Sequence, residues 1–377
     1  MAKIAVIGAN YLQLPLVTKA LELGHETICF AWEEGAVAKE TCTRFYPISI
    51  IEKKKILDVC KKEKIDAILT IASDVAMPTV SYVAKKLNLV ANTIESTLKS
   101  TNKYEMRIAL KKHKLKVPKF IKVTDYHSSY IKDFNFPIIS KPVDSSGSKG
   151  VQIVGEKKDV ENSVKEASQY GLSKEVILEE FIVGKEISVE TISYNGEHTI
   201  LAKTEKVTSG PPNFVELEQH QPYDGGVLEL QINETSLNVL NALGIEFGAS
   251  HIELLITSKN EIYIIEVGGR MGGDFIGSHL VELSTGYDFL KGVIDVALGS
   301  FSKPNLRAQK KYSGVYFLSC ETLWVAKMIN SHKSSAVAFQ KGKYKTELKC
   351  SGDRFGHFIY QTNEIEEVKK IKANCLK

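Results

Sequence analysis

Apolar and polar positions along this chain change period several times, and each change predicts an element. Lys3-Ile-Ala-Val-Ile-Gly8 reads as a buried strand, Leu12 to Leu23 as a helix, and Glu26-Thr-Ile-Cys-Phe-Ala31 as the next strand. Ile65 to Ile71 predicts another strand, after which Val80, Val83, Ala84 and Leu87 recur at helical spacing. This alternation over residues 1–95 predicts a parallel sheet covered on both faces. Its first turn, Gly8-Ala-Asn-Tyr-Leu-Gln13, has one glycine where a dinucleotide fingerprint needs three, which disfavours a nicotinamide or flavin.

Near residue 100 the pattern changes. Asn102-x-x-Glu105 predicts a helix start, and Met106, Ala109 and Leu110 form the apolar stripe that follows. Residues 136–194 read as strand, glycine-serine loop, strand, helix, strand, strand. A hairpin is expected within 245–273. Pro304 and the polar stretch Lys303 to Lys311 mark a boundary, and the remainder is strand-rich, ending in a helix with Ile365, Val368 and Ile371.

Composition narrows the class of function. The chain has 377 residues, enough for two or three domains, with 43% apolar and 25% charged residues, as in ordinary globular proteins. The net charge is only +4 and the lysines are scattered; Lys53-Lys54-Lys55 and Lys61-Lys62 read as the solvated face of a helix packed through Ile56, Val59 and Cys60. Nucleic-acid binding is therefore disfavoured. The six cysteines show no C-x-x-C spacing, so reduced thiols in a cytoplasmic protein are expected rather than a zinc site. No signal peptide or membrane span is predicted.

Three segments carry chemistry. In His251 to Gly273, two β-branched-rich strands flank a polar turn; with Lys259-Asn260 central, Glu253 and Glu266 face each other. Like charges directly opposite are destabilising unless a cation lies between them. Oxygen-only ligands suit Mg²⁺, although two solvated glutamates would give the same pattern. Ile252, Leu254, Ile256, Tyr263, Ile265 and Val267 are expected on the other, apolar face. In the second segment, Ile138-Ile-Ser-Lys-Pro142 and Val151 to Val154 flank the loop Val143-Asp-Ser-Ser-Gly-Ser-Lys-Gly150. Its small residues would let backbone N–H groups approach phosphate, and Lys141, among apolar neighbours, must find an anion or reach solvent. The third is Val176 to Glu190, where a base could lie against Phe181 and Ile182 and Glu186 could hold a ribose.

Together these motifs resemble the ATP-grasp ligases, over almost the whole chain. Lys103 and Lys141 match that family's two phosphate-contacting lysines. Ser145, Ser146, Gly147, Ser148 and Gly150 match its flexible loop, and Glu179-Glu180-Phe181-Ile182-Val-Gly-Lys-Glu186 its adenosine-bracketing run. Glu253 and Glu266 match the metal carboxylates, and Arg270, four residues on, the arginine that handles the transferred phosphoryl group. One departure is Gly268, where many members carry a metal-binding asparagine.

The resemblance implies an α/β and α+β fold: a pre-ATP-grasp parallel-sheet domain over 1–98, a bipartite ATP-grasp region over 99–304 with a lid at 116–185, and a small strand-rich domain over 305–377. It implies ATP with Mg²⁺, or Mn²⁺, as cofactors, and an ADP-forming ligase. A small-molecule carboxylate would be joined to an amine, or a thiol, through an acylphosphate, with Lys141 and Arg270 catalytic. The variant around Arg270 is most similar to the amino-acid and peptide ligase branch, where Glu216 and His220 fall in the acceptor segment. Open alternatives are a purine-pathway or carboxyphosphate- or carbamoyl-phosphate-forming enzyme, a phosphotransferase, or a non-catalytic ATP-binding regulator. No nucleic-acid or membrane partner is implied, and homodimers are common in the family.

Overall fold

Every second residue of the first strand packs into a different core, and that alternation builds the N-terminal layer. In the computed structural model, which describes residues 1–124, 126–307, 311–332 and 334–373, Ile4 and Val6 face one cluster and Ala5 and Ile7 another. The strands are β1 (Lys3–Ile7), β2 (Glu26–Phe30), β3 (Arg44–Tyr46) and β4 (Ala67–Leu69), parallel and ordered β3-β2-β1-β4. One cluster takes in helix Leu14–Glu22, helix Phe289–Ala297 and residues of the large sheet, fastening this layer to the rest of the molecule.

A four-stranded antiparallel sheet follows, ordered β5-β8-β6-β7: β5 (Phe120–Val123), β6 (Ile138–Pro142), β7 (Gln152–Val154) and β8 (Val176–Glu180). Helix Val160–Ala167 covers one face through Val160, Val164 and Ala167. The third sheet has eight antiparallel strands: β9 (Lys185–Tyr194), β10 (Glu197–Thr208), β11 (Glu216–Gln221), β12 (Gly248–Ile256), β13 (Ile262–Gly268), β14 (Tyr312–Leu318), β15 (Ala336–Lys341) and β16 (Gly356–Thr362). Its order is β13-β12-β9-β10-β11-β14-β16-β15, so the C-terminal strands continue this sheet through the β11–β14 pairing. Helices Lys103–Lys112 and Glu229–Leu243 pack beneath β9, β12 and β13 through Met106, Leu110, Val239 and Leu243.

Asn102 caps the first of these helices, its side chain accepting from the N–H groups of Tyr104 and Glu105 at 3.0 and 3.1 Å. That cap fixes Lys103 at the first helical position, a point that matters below. The final helix spans Ile365–Ala373, with Val368 buried. Five cysteines are free thiols; Cys375, and residues 308–310 of the expected boundary stretch, lie outside the described residues. No helix among the described residues is long and apolar enough to cross a membrane.

Candidate active site

Glu253 and Glu266 are direct partners across β12 and β13. The turn alone does not put them there. Ile256 pairs with Ile262 and Leu254 with Ile264, one residue out of the register expected from a Lys259-Asn260 turn; a bulge between Glu253 and Leu254 restores it. The bulge also corrects the expected apolar face. Ile262 and Ile264 are buried with Ile252, Leu254, Ile256 and Val267, whereas Tyr263 and Ile265 are only half-buried, and Ile265 joins Leu255 in the wall of the cavity that Glu253 and Glu266 line.

Each carboxylate has its own cation. Lys103 donates to Glu266 Oε1 at 3.1 Å and to the Ser145 carbonyl at 2.7 Å, tying the glycine-serine loop to the hairpin. Glu253 accepts from Lys206 at 2.6 Å and from His251 Nε2 at 3.1 Å. Lys206 is one residue that sequence reasoning missed. It is almost fully buried on β10 and also reaches Glu186 at 2.5 Å and Glu216 at 3.7 Å. Burial works against its charge, but these three carboxylates outweigh it and hold its pKa well above the usual lysine value. Burial pushes Glu216 up, whereas Lys206 and His251 overcome burial at Glu253 and hold it well below the usual carboxylate range.

Three carboxylates around one ammonium leave negative charge that a divalent cation would offset. Among the described residues no three His, Cys, Asp or Glu side chains form a closed metal cage. Two facing carboxylates fit magnesium, which takes its other ligands from phosphates and water.

Lys141 has also found its anion. Its ammonium is 2.7 Å from Glu179 Oε2, while Arg107 donates to both Glu179 oxygens at 2.6 and 3.3 Å and to the Ile265 carbonyl at 2.6 Å. Arg107, a second residue that sequence reasoning missed, is completely buried. Burial pulls Lys141 below the usual lysine pKa, with Glu179 opposing. At Glu179 burial pushes upward, but Arg107 and Lys141 prevail and hold it at about 2. Glu179 thus borders the cavity as the anchor of Lys141, with both oxygens already engaged.

The expected residues Ser145, Ser146, Gly147, Ser148, Glu180, Phe181, Ile182 and Glu186 line the same cavity as Lys103, Lys141, Glu179, Glu253 and Glu266. Phe214 tilts against Phe181 at 6.0 Å, and with Ile182, Leu255 and Ile265 gives an apolar slot suited to a flat base. Glu216 is there as well. Three expected residues are not part of this lining. Gly150 packs against Tyr170 and Pro142 behind the loop. His220 is buried farther along the large sheet, between Glu218 and Tyr360 at 3.0 Å each, because β11 pairs with β14 and carries it under the C-terminal strands. Arg270 turns towards the N-terminal layer, where Asp74 accepts from its Nε at 2.9 Å and from an Nη at 2.6 Å.

The Arg270 geometry explains Gly268. A Cβ at 268 would stand 2.9 Å from the Arg270 guanidinium carbon and 3.0 Å from Asp74 Oδ1, so an asparagine there would displace the pair. The space that a third metal ligand would need is filled by an arginine and its carboxylate.

His251 gives the site a pH dependence. Its Nδ1 bonds Glu190 and its Nε2 bonds Glu253, an arrangement that only the doubly protonated ring satisfies. Burial lowers its pKa, but the two carboxylates raise it from 6.5 to about 9. Since the folded value lies above the unfolded one, the stabilisation is complete below pH ~6.5 and is lost as pH rises through ~9, a swing of about 3 kcal/mol. Urea unfolding between pH 6.5 and 9.5 should show this decline in the wild type and a flatter one in His251→Gln. Equal slopes would contradict the assignment.

Residues 100–274 match the family described as the ATP-grasp domain. The formate-dependent phosphoribosylglycinamide formyltransferase of Sulfurisphaera tokodaii is 26% identical, over 98% of this chain and 94% of that protein. Among solved structures, the L-amino acid ligase from Bacillus licheniformis superposes with a TM-score of 0.83 at 22% identity, covering 100% of this chain and 97% of the other. The N5-carboxyaminoimidazole synthetase from Staphylococcus aureus, solved with ADP, gives 0.81 at 18% identity, covering 99% and 97%. Residues 100–274 thus match an ATP-grasp domain, and the chain as a whole shares the fold of these solved structures. Of the readings open from sequence, the purine-pathway alternative is the one that the named sequence relatives favour.

Proposed function

We propose that this ATP-grasp chain is an ADP-forming ligase that activates a small carboxylate as its acylphosphate and passes the acyl group to an amine. One observation carries the reading: Lys103, Lys141, the 145–148 loop, Glu186, Glu253 and Glu266 surround a single cavity with an apolar slot at one end. The relatives make formate the first carboxylate to test and support a purine-pathway setting.

In this reading Lys103 and Lys141 neutralise the phosphate chain, exchanging their present carboxylate partners for phosphate oxygens. Glu253 and Glu266 hold magnesium, which when bound supplies charge stabilisation at the phosphate oxygens. The 145–150 loop, latched by Lys103 to the hairpin, closes over the nucleotide and excludes the water that would hydrolyse an acylphosphate. Arg270, held by Asp74, stabilises the transferred phosphoryl group in this reading. Catalysis is then positioning and electrostatics.

Hydroxylamine tests the proposal, because it intercepts an acylphosphate as a hydroxamate. With ATP, Mg²⁺ and formate or another small carboxylate, ADP and hydroxamate should form in equal amounts. ADP formed with a stable phosphorylated acceptor and no hydroxamate would instead identify a phosphotransferase.

A further inference from the structure

We infer that the crevice at the carboxyl ends of β1–β4 receives the amine co-substrate, which bears no phosphate and has a cationic far end held by Trp32 and Glu34. This rests on the ligase reading, departs from the phosphorylated substrate named for the sequence relative, and names the class of its amine: diamines and basic amino acids. The crevice measures about 330 Å³, enough for a molecule of that size. It lies where the order β3-β2-β1-β4 reverses its direction of travel, the position at which open parallel sheets bind ligands. It adjoins the phosphoryl end: Ser73 lines it, and the next residue, Asp74, holds Arg270. Tyr11, beside the lining residue Asn10, has its phenol pushed up by burial and by the Asp274 carboxylate.

Three observations speak against a phosphate here. No lysine, arginine or histidine is among the residues lining the crevice. The β1 turn is a poor anion cradle, since three of its N–H groups are in use: Gly8 donates to the Phe30 carbonyl at 2.9 Å, Asn10 to Gln13 Oε1 at 3.3 Å and Leu12 to Asn10 Oδ1 at 2.8 Å. The Gln13 side chain fills the space in front of Gly8, where a Cβ would stand 2.8 Å from its Oε1. Finally, Arg270 and Arg354 lie outside this lining and are already paired, Arg270 with Asp74 and Arg354 with Asp274 at 2.6 and 2.8 Å. A phosphate dianion entering here would lose hydration and gain no countercharge.

The same wall suits a cation. Trp32 exposes its ring at the mouth of the crevice. Glu33 and Glu52 nearby are taken by Lys39 and Lys55, but Glu34 makes no ion pair among the described residues. An ammonium between an indole face and an unpaired carboxylate gains from both.

Trp32 and Trp324 are the two tryptophans, so Trp324→Phe makes Trp32 the sole reporter. Titrating that variant with 1,5-diaminopentane or agmatine should change Trp32 emission saturably. Adding Glu34→Gln should weaken the response at least tenfold, and ribose 5-phosphate should give none. A saturable response to ribose 5-phosphate, an amine response indifferent to Glu34→Gln, or no amine response would each overturn the inference. The hydroxamate assay on the same protein separates the two proposals. Amine binding without any hydroxamate rejects the ligase reading and leaves the ammonium site standing; hydroxamate without amine binding rejects the crevice assignment alone.

Discussion

Glu266→Gln is expected to lower ADP formation by about 10²–10³-fold, the usual loss on removing one preorganised electrostatic group, while leaving stability nearly unchanged. Glu266 is a quarter exposed and, among the described residues, its side chain bonds only Lys103, at 3.1 Å, from which a glutamine oxygen can still accept. Glu253→Gln should lose as much activity but should also unfold more easily, by about 1–3 kcal/mol. Its carboxylate faces a buried lysine, which would keep Glu186 and the more distant Glu216, and a buried imidazolium, which would keep only Glu190 among the described residues. ADP release paired with urea unfolding on both variants distinguishes these effects. Wild-type turnover in Glu266→Gln would remove the hairpin from the reaction. Equal stability of the two variants would mean that Glu253 is not held as described.

The hairpin shows what sequence could and could not reveal. The pairing of Glu253 with Glu266 was legible because strands joined by a short turn have their register limited by that turn. It was nevertheless reached through a turn geometry that the molecule does not adopt: a bulge compensates for a one-residue difference. Because side chains alternate, the same bulge moved Tyr263 and Ile265 off the expected core face. Lys103, Lys141 and the serine-glycine loop were legible because local motifs fix them, an N-cap in one case and a strand end in the others.

Lys206 was not legible, since Ala-Lys-Thr-Glu-Lys-Val-Thr reads as an ordinary half-exposed strand. Only the neighbour order β12-β9-β10 brings it against Glu186 and Glu253, and that pairing spans some sixty residues between β9 and β12. His220 and Arg270 lie outside the cavity lining for the opposite reason. Their sequence neighbourhoods are suggestive, but long-range partners, Tyr360 and Asp74, turn them elsewhere.

Arg107→Met should cost about 3–5 kcal/mol, the penalty for removing one member of a buried ion cluster. Arg107 has no exposure and Glu179 has 3% side-chain exposure, so no water can replace the lost guanidinium. Glu179 would be left with Lys141 alone, and the Ile265 carbonyl would lose its donor. Methionine fills much of the volume, so the loss reports charge rather than cavity. Combining it with Glu179→Gln should lower stability further, because the buried Lys141 ammonium then loses its last carboxylate.

The acid limb gives an independent check. Glu179 has its folded pKa depressed from 4.5 to about 2, so its contribution is present above pH ~4.5 and is lost as pH falls towards 2. The double variant should lack that limb while the wild type keeps it. Because Glu179 is also what anchors Lys141, the double variant should also be weak in ATP turnover. A single Arg107→Met variant costing under about 1 kcal/mol would show that the buried cluster is not what holds the two sheets around the cavity.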